Sequence, residues 1–332
     1  GGSSFFFVIA TFAITMAISK TSIPLRISYK LLQWSKGNST KLILGFMFAC
    51  AITSSIMSNL STCILYLGLV MALLKANHCE PGKSNLGKCL MITIPAAAGI
   101  GGLITPAGTP GNVMVLDMLA NAGITVTFLQ WTLIFAPLAL ITVFICGIWI
   151  TRIFKPEPIT AEAMDALKDQ KEEAGALTGQ EKKAVGIVLL MVVLWFAGTW
   201  IPALNTTVVA LLGMAFLFLP GIEVLSWQDY SRETNWNIIF AIGSIGVLIS
   251  GLTKTGIMDW IVNAAFSGIS GWNTFALFLF VGLIVCIIRA FVPTAPAIIA
   301  LFGVPLLSIA SMTSYSAVAL LVIPAFWACT PM

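Results

Sequence analysis

Two short polar stretches set inside long apolar runs carry the residues that could do chemistry in this chain. The first is Ser58-Asn59-Leu60-Ser61, between the apolar pieces Leu42–Met57 and Thr62–Leu74. The second is Thr105-Pro106-Ala107-Gly108-Thr109-Pro110-Gly111-Asn112, between Lys88–Ile104 and Val113–Leu119. Both are rich in hydroxyl, amide and backbone groups and hold no charged side chain. Side-chain and backbone oxygens suit a hard cation. Free N–H groups at a helix N-terminus suit an anion, and such ends are expected at Thr62 and at Val113. Binding a small anion beside a cation is therefore the chemistry these stretches suggest. Catalysis is not: there is one histidine, His78, in a polar loop, and the 7 cysteines are scattered with no CxxC pair. Neither a classical zinc site nor a histidine-based triad can be assembled from them.

The elements that position these stretches follow from the apolar pattern. Two prolines and two glycines within Thr105–Asn112 cannot sustain a helix. Unwound backbone at membrane depth is tolerated only when buried in protein or lining a watery cavity, so a broken helix is expected over 88–119. The arms on either side of Ser58-Asn59 are each short of the roughly 20 residues a crossing helix needs. Lysines flank both, so they read as a re-entrant hairpin, 42–74. Ile23–Ser35 alternates Leu25, Tyr29 and Leu32 with Arg26, Lys30 and Gln33 at helical spacing, the pattern of a helix lying in the interface. Phe5–Ser19, Phe128–Thr151, Ala184–Ile201, Thr206–Leu219 and Trp236–Thr253 read as spans. Phe275–Ile288 and Ile298–Ile309 form a second pair of short arms, and Ala317–Trp327 begins a last span.

Composition agrees. Of 332 residues 58% are hydrophobic and only 9% charged, against about 25% charged in a soluble domain. A soluble enzyme, a nucleic-acid binder and a disordered chain are excluded, and a polytopic membrane protein remains. All but Lys254 and Arg289 of the 17 basic residues fall on one side if the loop after the first span is cytosolic, as the positive-inside rule requires. Trp131, Trp149, Trp195, Trp200 and Trp236 lie near span ends, which fits an interfacial belt.

The chain also repeats itself. Displaced by 234 residues, Lys20-Thr21-Ser22-Ile23 falls on Lys254-Thr255-Gly256-Ile257, and the first tip falls on Val292-Pro293-Thr294-Ala295-Pro296. Gly108-Thr109-Pro110 has a counterpart in Cys329-Thr330-Pro331. The order span, surface helix, hairpin, broken helix thus occurs twice, in opposite orientation, the pattern of a secondary transporter with its site near the midplane. The expected fold is an all-α polytopic membrane protein of two inverted repeats, 1–151 and 184–332, joined by a cytosolic linker helix within 152–183.

Ile18-Ser19-Lys20-Thr21, Leu44-Gly45-Phe46-Met47, Ser58-Asn59 and Gly101-Gly102…Thr105-Pro106-Ala107-Gly108-Thr109-Pro110-Gly111-Asn112 resemble the divalent anion/sodium symporter family. The resemblance covers nearly the whole chain, less the family's first helices and its C-terminal end. It implies an elevator-type homodimer in a bacterial cytoplasmic membrane that carries di- or tricarboxylates, or sulfate, with Na⁺ and is not an enzyme. The mobile transport domain would be roughly Leu42–Leu119 and Phe275–Met332. By resemblance Ser54, Ser58, Asn59, Gly108 and Asn112 hold Na⁺. Ser58, Asn59, Leu60, Thr109 and Pro110 line the anion site from the first repeat, and Pro293, Thr294, Ala295, Thr330 and Pro331 from the second. The family's tip is Ser-Asn-Thr. Here Leu60 replaces the first Thr, and Val292-Pro293 replace the second Ser-Asn. One Na⁺ site is thus supported and a second is doubtful. A sodium-independent anion exchanger or a proton-coupled carrier stays open, with Asp117 as an acid near the site and Arg289 as a cation near the second tip.

Overall fold

A computed structural model describes residues 3–173, 175–201, 203–237, 239–240, 243–244, 247, 251, 254–257, 260, 273–292, 295–312 and 316–329. The described residues fold into helices and irregular connections, with no strand among them.

Helix α1 (Ser3–Ser19) is apolar throughout and breaks at Lys20-Thr21-Ser22. The chain turns by 56° into α2 (Ile23–Ser35), the helix expected in the interface. Pro24 sits in its first turn, where a missing N–H costs nothing. Its buried stripe is Pro24, Ser28, Leu32 and Ser35. Leu25 and Tyr29, on the apolar face of the expected interfacial pattern, are half-buried.

The first hairpin is α3 (Ser39–Ser54) and α4 (Asn59–Ala76) around a four-residue tip, 55–58. Asn38 caps α3 by accepting the Lys41 N–H at 2.9 Å. Arm α3 is as long as its apolar run but begins three residues earlier, and α4 is longer than its run because polar end residues join the helix. With 18 residues, α4 is long and apolar enough to cross a membrane, as is α7 (Phe128–Phe154). The broken helix consists of α5 (Asn85–Gly101) and α6 (Pro110–Asn121).

The linker forms α8 (Ala161–Glu173), followed by α9 (Gly179–Ala197), α10 (Thr206–Phe218) and α11 (Trp227–Glu233). The second pair of arms is α12 (Thr274–Arg289) and α13 (Ala295–Met312), and α14 spans Ala317–Cys329. The expected span Trp236–Thr253 lies largely outside the described residues.

Three apolar clusters organise these helices. One joins α2 to α5 with α7 and α8, another joins α6 to α12–α14, and the third joins α1 to α9, α10 and α11. Much apolar surface remains uncovered, including Leu133, Ile141, Ile145 and Trp149 on α7. Exposure of that kind along whole helices fits a lipid solvent and not water.

Two carboxylates pin the linker to the bundle. Glu157 accepts the N–H groups of Asn85 and Leu86 at the start of α5. Glu181 accepts from Thr178 N–H in the α9 capping box and from Ser22 N–H at the α1–α2 bend. Those donors hold the Glu181 carboxyl down, at about 2.

Trp131 and Trp195 correct the expected aromatic belt. Both are buried, and each indole N–H satisfies a carbonyl, Leu103 for Trp131 and Thr206 for Trp195, each at 3.0 Å. Trp149 and Trp200 are exposed, as a belt requires.

Candidate functional site

The tip of the first hairpin meets the unwound segment between α5 and α6. Gly101 lies so close to the backbone of Ala51 that a Cβ would overlap it. Gly102 is in the same relation to the Asn59 amide, and Gly108 to the Gly102 carbonyl. These glycines are required by close approach alone. They bring the C-terminal ends of α3 and α5 together with the N-terminal ends of α4 and α6. Helix C-termini carry partial negative charge and N-termini partial positive charge, so one locus offers complementary surroundings for a cation and for an anion.

Buried irregular backbone must find internal partners, and side chains supply them here. Asn112 is fully buried, and its Nδ2 donates to the carbonyls of Gly102 and Thr105, each at 2.8 Å. Thr105 Oγ1 donates to the Ser55 carbonyl, tying the unwound segment to the hairpin tip, and accepts the Ala107 N–H at 3.1 Å. Trp131 takes the Leu103 carbonyl, as above. On the other side Thr15 Oγ1 of α1 accepts the Ser58 N–H at 3.1 Å.

The tip has more oxygen lone pairs than protons. Ser54 Oγ lies 2.8 Å from Asn59 Oδ1 and 2.7 Å from the Ala98 carbonyl oxygen. A single hydroxyl proton serves one of these at a time. The Oδ1 of Asn112 and the Oγ1 of Thr62 are buried without a hydrogen-bond partner among the described residues. Ser58 is the N-cap of α4, yet its side chain makes no capping bond. Surplus oxygens of this kind fit a hard cation such as Na⁺. Among the described residues no group of His, Cys, Asp or Glu could hold a metal instead.

The helix starts differ from those expected. The first turn of α4 begins at Asn59, and the Thr62 N–H already donates to the Ser58 carbonyl. The free N–H groups therefore belong to Asn59, Leu60 and Ser61. Helix α6 begins at Pro110, three residues before Val113, and is capped from within. Thr109 Oγ1 accepts the Gly111 N–H at 3.4 Å, and the Thr109 carbonyl accepts the Asn112 N–H. The α4 terminus is thus the better anion donor.

Ser54, Ser58, Asn59, Gly108, Thr109, Pro110 and Asn112 are brought together around this junction, with Ser54, Gly108, Thr109 and Asn112 buried. Leu60 is exposed on α4. Pro293, Thr294, Thr330 and Pro331 lie outside the described residues, as does the side chain of Ala295. Near them, Arg289 Nη1 donates to the Val292 carbonyl at 3.3 Å. Helix α14, which leads to Thr330, packs on α5 and α6, and α13 packs on α6. Asp117 accepts a hydrogen bond from Ser3, and His78 Nε2 stands 2.9 Å from Glu162 Oε2 at the surface. Thr15 and Trp131 were not legible as site residues. Their partners lie across the fold, and an isolated Thr or Trp in an apolar run carries no signal.

A family model described as the sodium:sulfate symporter transmembrane region matches residues 2–329. The citrate/succinate antiporter of Escherichia coli (strain K12) is 28% identical over 198 residues, which is 58% of this chain and 40% of that protein. The putative malate transporter YflS of Bacillus subtilis (strain 168) is 25% identical over 300 residues, 84% of this chain and 59% of that protein. The sodium-dependent dicarboxylate transporter SdcS of Staphylococcus saprophyticus is 21% identical over 285 residues, 79% of this chain and 55% of that protein. The chain spans about half the length of these curated relatives. They are transporters, not enzymes.

Proposed function

This chain belongs to the sodium:sulfate symporter family, and from that premise we propose that it is the site-bearing part of a secondary transporter for di- or tricarboxylates, driven by Na⁺. The observation that carries the reading is the junction of Ser54, Asn59 and the Ala98 carbonyl, where the Ser54 hydroxyl stands within 2.8 Å of two further oxygens, beside the unpartnered Oδ1 of Asn112. Na⁺ sits among these oxygens with Ser58, the Gly108 carbonyl and Asn112 completing its shell. A substrate carboxylate takes the free N–H groups at the start of α4 and the Ser58 and Thr109 hydroxyls. The cation offsets part of the anion's charge, which makes withdrawing both from water less costly.

The protein works as a homodimer in a bacterial cytoplasmic membrane, with the hairpins and broken helices moving as a transport domain against a scaffold. Citrate, succinate and malate, named for its relatives, are the first substrates to test.

Uptake of radiolabelled succinate and citrate into proteoliposomes tests the coupling. An inward Na⁺ gradient is expected to drive accumulation that choline does not support. Equal uptake in choline would overturn sodium coupling. A second reading, obligatory exchange, is favoured by Val292-Pro293 at the second tip, which lack the hydroxyl and amide of Ser-Asn. It predicts uptake only into vesicles preloaded with dicarboxylate.

A further inference from the structure

On the side of the molecule where the basic residues gather, α4 ends and α5 begins beside a groove of about 780 Å³. Its walls are mainly apolar: Met71, Ala72 and Leu74 from α4, Gly87 and Met91 from α5. Met71 and Met91 are largely exposed, and methionine adapts its shape to irregular apolar partners. Two cations stand on the rim, Lys75 in the last turn of α4 and Lys88 in the first turn of α5. Neither has an ion-pair partner among the described residues. The one acid lining the groove, Glu80, is paired with Lys83 at 2.6 Å.

The N–H groups at the start of α5 are taken by Glu157 and Ser84. An anion in the groove is therefore held by the two lysines and not by the helix end. Away from the lysines, α4 continues as an exposed stripe of Gly68, Ile64 and Leu60. The groove thus has two lysines on its rim and an apolar stripe running away from them along α4.

We propose that this groove binds an anionic diacyl phospholipid, with the headgroup phosphate between Lys75 and Lys88 and an acyl chain against Met71, Gly87 and Met91. Charge complementarity selects the occupant: a zwitterionic lipid would place its own cation against the lysines, and a soluble phosphate would leave the apolar wall uncovered. Basic recesses between membrane helices on the cytoplasmic side are suited to such headgroups. The site is separate from the ion and substrate junction at the other end of α4 and does not depend on the transport reading.

Native mass spectrometry of the full chain in mild detergent, titrated with phosphatidylglycerol, cardiolipin, phosphatidylcholine or inorganic phosphate, tests this. Retention of phosphatidylglycerol or cardiolipin well above phosphatidylcholine is expected. Each lysine contributes about fivefold, so Lys75→Gln with Lys88→Gln should weaken anionic-lipid retention by about 25-fold and leave phosphatidylcholine unchanged. Gly87→Leu keeps both lysines, and its Cβ would meet only ordinary contacts with Ser84 and Leu74. It fills the groove and should remove the bound lipid on its own, so it decides the matter even where the double variant does not fold. Equal retention of all lipids, unchanged anionic-lipid retention in Gly87→Leu, or displacement of the lipid by millimolar phosphate overturns the proposal.

Discussion

Replacing Gly102 by alanine probes the proposed cation site with a single methyl group. The added Cβ would lie 2.8 Å from Asn59 Nδ2 and 2.9 Å from Asn59 Cγ, and nearer still to Oδ1. Comfortable contacts begin at about 3.5 Å, so the amide must withdraw by roughly 1 Å. Overpacking of this kind costs about 1–3 kcal/mol, which the fold can absorb because the displaced group is a side chain. What the site loses is the approach of Asn59 to Ser54. Disturbing the groups that orient a metal ligand typically costs about 10- to 100-fold in affinity, or about 1.4–2.8 kcal/mol. The assay is initial succinate uptake into proteoliposomes as a function of Na⁺ concentration. Half-saturation for Na⁺ should rise by about 10- to 100-fold in Gly102→Ala. Gly68→Ala serves as control, because a Cβ there meets nothing within 4 Å. A folded Gly102→Ala protein with wild-type Na⁺ dependence would refute the placement of the cation beside Asn59. Gly101→Ala makes a useful contrast: its Cβ meets the Ala51 backbone, which cannot swing aside, so loss of thermal stability should precede any change at the site.

Further expectations concern the supports of the junction. Thr15→Val removes the acceptor of the Ser58 N–H and should cost about 1 kcal/mol for the half-buried donor left unpaired; thermal unfolding and uptake rate should fall together, and an unchanged Tm would contradict it. Trp131→Phe leaves the Leu103 carbonyl without its indole donor, for a loss of about 1–3 kcal/mol measurable as a lower Tm. Glu181 titrates lower in the folded protein than in the unfolded chain, so its stabilisation is complete above the ordinary glutamate range near 4.5 and is lost as pH falls from there through about 2. Glu181→Gln should accordingly lower Tm at neutral pH and flatten the Tm profile across that acid window; a parallel decline of both proteins would argue against the pin.

Much of the architecture was legible along the chain. Apolar runs and their polar interruptions give α2, the hairpin tip and the break between α5 and α6, because each is set by local sequence. Proline and glycine stop a helix wherever the chain goes. Helix starts were less legible. Asn59 opens α4 and Pro110 opens α6, each three residues before the apolar run, since polar residues and proline are accepted in a first turn. That difference moved the free N–H groups from Thr62 to Asn59–Ser61.

Sequence by itself determined that this is a helical membrane protein with two uncharged, oxygen-rich breaks in its apolar runs, because composition and local backbone preference need no partner to act. Tertiary structure alone decided which atoms complete that site. Thr15 reaches Ser58 across 43 positions, Trp131 reaches Leu103 across 28, and Glu181 reaches Ser22 across 159. The first two complete the junction and the third pins the linker, and none of the groups they satisfy has a local partner. Such pairings are fixed by the packing of distant helices, and no spacing along the chain encodes them.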